Sequence, residues 1–145
     1  MSDRPRFHRW VLRLAAGYNI AFGAWAILRP GDFFALFALP MTNQPAIWRC
    51  LGMVLGVYGA GYAWAAFRPE LVKPIVVLGL VGKILGPIGW VATVASGEWP
   101  LRTFPLVLFN DLAWWIPFGL ILLDTARAAP TSTSSSTPRT PPGAS

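Results

Sequence analysis

The sequence predicts an all-α protein, a bundle of four helices crossing a membrane, and three observations carry that prediction. Hydrophobic residues make up 54% of the 145 residues and charged ones only 12%, about half of the roughly 25% of a typical soluble domain. Eight Trp and nine Phe are more aromatic surface than so short a soluble chain can hide. The apolar residues also fall into long unbroken runs without period-two alternation, which argues for helices and against the strands of a barrel. The composition excludes a soluble globular domain, a disordered chain and a disulfide-stapled module. One Cys cannot form an internal disulfide, and the length corresponds to one domain.

The first element is a basic arm, residues 1–10, carrying Arg4, Arg6, His8 and Arg9. A first span follows over about 11–28. Its length and the Asn19 inside it favour a retained span over a cleaved signal peptide, although Ala24-Trp25-Ala26 faintly resembles a cleavage site. The link after it holds Phe33, Phe34, Leu36, Phe37 and Leu39 between Pro30 and Pro40. It is too short to span, and is expected either in the membrane interface, aromatic side down, or over one end of the bundle. The second, third and fourth spans run over about 47–67, 75–96 and 104–123, each near the roughly 20 residues that cross a hydrocarbon core. Short links make these neighbours antiparallel. Residues 128–145, rich in Ser, Thr, Pro and Ala, form an expected disordered tail.

Charge sets an expected orientation. Arg4, Arg6, Arg9, Arg13, Arg68, Lys73, Arg127 and Arg139 fall on one side, and Arg29, Arg49 and Arg102 on the other. The positive-inside rule then puts both termini in the cytoplasm. The same excess of Lys and Arg is accounted for by orientation and does not imply nucleic acid; the bilayer is the expected partner.

Chemistry is expected at the polar residues within the spans, because such groups are costly and tend to be paired or functional. They are Asn19, Lys83, Asn110 and Asp111. At about 1.5 Å per residue, Lys83 and Asp111 lie at depths that a Lys side chain can bridge, so an ion pair is expected. Lys83 shares its helix face with Gly79, Gly82, Gly86 and Trp90, and Asn19 shares one with Ala15, Ala16, Gly23 and Ala26. Smooth faces point at neighbouring helices, so the four polar groups should converge. Pro87 frees the carbonyl of Lys83, and Pro117 that of Ala113, so a kink is expected at Lys83. Gly52, Gly56, Gly59 and Ala63 form a second smooth strip, suited to close packing within the monomer. Tyr58, Tyr62 and Trp115 are candidates to line a pocket or an interface.

With His8 as the sole His, no His-based metal site or catalytic triad is possible, and no cofactor is implied. Cys50 sits in an apolar helix, where packing is the ordinary role; Arg49 beside it leaves a thiolate reading open. The polar residues admit three interpretations: a structural ion pair with two amides, a pocket for a hydrophobic or polar small molecule, or direct catalysis. At the level of the whole protein, the expectation is a non-enzymatic ligand-binding module. The alternatives are an accessory subunit of a membrane complex, or a homo-oligomer, and a redox or peroxide-reducing enzyme using Cys50.

Several strings resemble a family of small, uncharacterised bacterial four-span membrane proteins. They are Gly17-Tyr18-Asn19, Trp48-Arg49-Cys50-Leu51-Gly52-Met53 with Gly56-Val57-Tyr58-Gly59, Gly82-Lys83-Ile84-Leu85-Gly86-Pro87, and Asn110-Asp111-Leu112-Ala113-Trp114-Trp115-Ile116-Pro117-Phe118. The resemblance covers about residues 8–124 and implies a four-span bundle in a bacterial cytoplasmic membrane. Some members carry an alkyl hydroperoxide reductase label. A peroxiredoxin site resembles Pro-x-x-x-Thr-x-x-Cys, whereas Asn43 and Ile47 stand at the corresponding places before Cys50.

Overall fold

A computed structural model describes residues 4–41 and 43–128. Apart from Ala128, the tail expected to be disordered lies outside the described residues. The described chain folds as five helices: α1 (Arg4–Leu28), α2 (Pro30–Leu36), α3 (Pro45–Ala65), α4 (Pro69–Ala95) and α5 (Leu101–Arg127). Proline near the N-terminus sets three of the starts, at Pro30, Pro45 and Pro69, where its fixed φ suits a helix and its missing N–H is not needed. The helices overrun the predicted spans. The basic arm is the first part of α1 rather than a separate element, and α4 begins at Pro69 and carries Pro74 within it.

Three helices, α1, α4 and α5, are long and apolar enough to cross a membrane. α3 has 21 residues, about 31 Å at 1.5 Å per residue. Arg49, four glycines and the polar ends of its Trp and Tyr side chains make it less apolar than its neighbours.

Those glycines bring α3 against α1. A Cβ at Gly23 would stand 2.5 Å from the Gly52 carbonyl oxygen, and one at Gly52 would stand 2.7 Å from that of Gly23. The two backbones touch there, which only small residues permit. The smooth strip of α3 is therefore used within the monomer. At one end of the helices, Leu12, Ala15, Tyr62, Ala65, Val76, Phe118 and Ile121 form a closed apolar core. Beyond it, Asp124 holds Arg4 at 3.2 Å and His8 at 3.3 Å.

The other end is closed by aromatic rings. Phe33 of α2 is fully buried and meets the rings of Trp25, Trp48 and Trp99, with a centroid distance of 4.3 Å to Trp48. The link thus packs on this end of the helices through Phe33. The loop after α2 turns through Ala38 at φ 48°. Arg102 holds that turn by donating to the carbonyls of Phe37 at 2.7 Å and Ala38 at 2.9 Å. Between α4 and α5 the chain reverses at Gly97, φ 79°, a left-handed position that glycine occupies without a Cβ clash.

Candidate functional site

Between the apolar core and the aromatic cap lies the only part of the described interior where charges meet. α5 is irregular there. It opens with a tight turn at Leu101–Thr103, is α-helical over Phe104–Val107, widens into a π-turn at Leu108–Leu112, and continues as α-helix over Ala113–Arg127. In the π-turn the Ala113 N–H bonds back five residues to Leu108. The additional residue lets two consecutive side chains, Asn110 and Asp111, face the interior together. Such turns occur mostly at functional positions.

Lys83 and Asp111 are 5% and 6% exposed and form the expected pair, Lys83 Nζ standing 3.7 Å from Asp111 Oδ1. That is an ion pair, longer than a hydrogen bond. Asn110 donates from Nδ2 to the same Oδ1 at 2.8 Å. The other carboxylate oxygen rests on α4 at Gly86, where a Cβ would come within 2.5 Å of it. Gly79 gives Tyr62 the same kind of seat. The glycines beside Lys83 therefore make room for the groups that face it.

α4 runs unbroken through Pro87, without interruption at Lys83. The Lys83 carbonyl freed by that proline accepts a hydrogen bond at 3.0 Å from Nε1 of Trp115 on α5. The neighbouring Trp114 donates to the Phe109 carbonyl at 3.1 Å, within the π-turn. The paired tryptophans thus cover two carbonyls at backbone irregularities, one in each helix. Trp115 is partly exposed and braces the site from outside rather than lining it.

A cavity of about 90 Å³ brings together Asn19, Tyr58, Tyr62, Lys83, Asn110 and Asp111. Asn19 faces it while its amide donates to Ala15 of its own helix at 2.8 Å. All four expected polar residues and both tyrosines meet there. Two polar atoms of this lining, Tyr62 Oη and Asn110 Oδ1, are buried and have no hydrogen-bond partner among the described residues. Cys50 is exposed on α3 and is absent from this lining, so it neither packs in the interior nor faces the polar centre.

Leu55, Asn110 and Asp111 also line a second space of about 500 Å³ that extends past Trp90 to Trp48 and Trp99. No residue pattern announced this cleft; of the glycines that line it, Gly89 is the one where a Cβ would meet open space. The arrangement presents one cation, one anion, two amides and two phenols beside an apolar space. It offers hydrogen-bond donors and acceptors held by four helices. Comparisons with protein-family models, with curated proteins and with solved structures find no match.

Proposed function

We propose that this protein is a four-span membrane module that binds a small molecule at the Asn19, Lys83, Asn110 and Asp111 centre without transforming it. Lys83 supplies the cation, Asp111 its counter-ion and an acceptor, and the amides orient the guest. The observation that carries the reading is the pair of unpartnered atoms, Tyr62 Oη and Asn110 Oδ1, on the wall of a cavity that also holds an ion pair. Buried polar groups are costly unless hydrogen-bonded. A purely structural ion pair has no need of two unpartnered polar side chains in the lining of the same cavity.

Two contacts support α3 as the fourth span. Arg13 of α1 lies over the ring of Phe67, just past the end of α3, at 5.4 Å. At the opposite end, the start of α3 meets α2 through Trp48 and Phe33. α3 thus runs antiparallel to α1 along most of its length, and the Gly23–Gly52 contact holds the two together. Exposed Trp10, Trp64 and Phe67 cluster by sequence at the arginine-rich end, as an interfacial aromatic belt does. The charge asymmetry makes that end cytoplasmic. The resemblance to small bacterial four-span proteins fits this topology and a bacterial inner membrane.

Native mass spectrometry of the gently solubilised protein tests the binding role. A bound small molecule should be present on the native chain and absent from the Lys83→Met/Asp111→Leu double variant, which keeps the bundle's volume. Equal occupancy of both proteins, or none on either, would reject the centre as a binding site.

A further inference from the structure

The 500 Å³ cleft lies within the size range of small-molecule sites, and its lining restricts what fits. Trp48, Trp90 and Trp99 contribute aromatic walls, and Gly89 leaves the surface of α4 bare. Rings stack well on such surfaces. At the inner end, Lys83 and Asp111 oppose each other at 3.7 Å, so the charges there already balance. A charged guest would bring an uncompensated charge into a dry site; a neutral one would not.

The open hydrogen-bonding positions are more selective still. Asn110 Oδ1 is a buried acceptor without a donor, and Tyr62 Oη beyond it is a buried hydroxyl without a partner. A guest hydroxyl can donate to Asn110 Oδ1, which lines the cleft, whereas an ether or ketone has no proton to donate. At the outer end, Trp48 Nε1 is a buried donor without an acceptor among the described residues. Trp48 precedes Leu55, which sits beside the π-turn residues, by two turns of α3. At 1.5 Å per residue the two levels are about 10 Å apart.

We propose that the cleft binds a neutral, elongated aromatic molecule with a hydroxyl at its inner end, on Asn110, and an acceptor oxygen at its outer end, by Trp48. This rests on the polar centre being a ligand site and adds the class of ligand. The test measures tryptophan quenching and thermal shift of the full chain in neutral-lipid vesicles with four probes: biphenyl, para-phenylphenol, para,para′-biphenol and para-phenylbenzoate. The phenol should bind roughly tenfold tighter than biphenyl, the effect of one added hydrogen bond. The biphenol should bind tighter again, and the benzoate more weakly than the phenol. Trp48→Phe should abolish the advantage of biphenol over phenol while leaving phenol binding in place. Biphenyl binding as tightly as the phenol would make the cleft a slot for acyl chains and overturn the proposal. Tighter benzoate binding would assign Lys83 to an anion, which overturns the ligand class and spares the binding role. If no probe binds, the class is wrong; if the native chain also carries no bound molecule in the mass spectrum, the binding role falls with it.

Discussion

Lys83 and Asp111 show how far single residues carry the interpretation. Each is ionisable, each sits near the middle of an apolar helix, and they meet at 3.7 Å with less than a tenth of either exposed. Removing one member of a buried pair strands the other and costs roughly 3–5 kcal/mol, while replacing both by apolar residues is often near neutral. Lys83→Met and Asp111→Leu should therefore each lower the thermal stability of the solubilised protein, and the double variant should recover most of the loss. Strictly additive losses would show that the two do not interact. Trp115→Phe should cost about 1–3 kcal/mol, because it leaves the Lys83 carbonyl without its donor; an unchanged melting temperature would count against that bond. These residues were legible in the sequence because a charge in an apolar run has few solutions, and a proline four residues on identifies which carbonyl is freed. Asn19 was legible as an inward residue but not in its bonding, since its amide turns back to Ala15 of its own helix. Cys50 was misjudged: an apolar neighbourhood along the chain does not say which way a helix face points, and this one points outward.

At the scale of elements, the glycine strip of α3 distinguishes pattern from geometry. Gly52 and Gly56 are equivalent members of one Gly-x-x-x-Gly pair in the sequence. In the fold, a Cβ at Gly52 meets the Gly23 carbonyl at 2.7 Å, whereas one at Gly56 meets nothing within 4 Å. Gly52→Ala should force α1 and α3 apart and cost about 1–3 kcal/mol. Gly56→Ala should be neutral or stabilise by up to about 1 kcal/mol, because alanine is the better helix former. Parallel thermal melts of the two variants check this, and equal losses would mean that the helices cross elsewhere. The π-turn of α5 was not legible. Asn110-Asp111 marked a polar spot, but nothing in the local residues specifies an i→i−5 bond; it is set by tertiary contacts, among them the seat of Asp111 on Gly86. The cleft escaped the sequence for a similar reason. It is a space among α1, α3, α4 and α5, and depends on how the four helices are set against one another.

For the whole molecule, the sequence conveyed an all-helical, membrane-suited chain through composition alone, and the direction of insertion is where charge and fold make a joint prediction. The arginine-rich end holds Arg4 and His8 on Asp124, with Arg13 over Trp10 and Phe67. The opposite end is closed by Phe33 and the surrounding tryptophans, with Arg29, Arg49 and Arg102 as its positive residues. If α3 crosses as a fourth span, a reporter fused after Arg127 should be active only in its cytoplasmic form, and one placed at the Gly97 turn only in its periplasmic form. Cys50 gives an independent reading without any fusion. It is the sole cysteine, it is exposed, and it lies just inside the start of α3, near the aromatic cap. A membrane-impermeant maleimide added to intact cells should label Cys50, and Cys50→Ala should abolish labelling with little effect on stability. If α3 instead lies along the surface, α1, α4 and α5 alone cross and the termini fall on opposite sides. A fusion after Arg127 and one before Arg4 would then report different compartments, and the four-span topology would be lost.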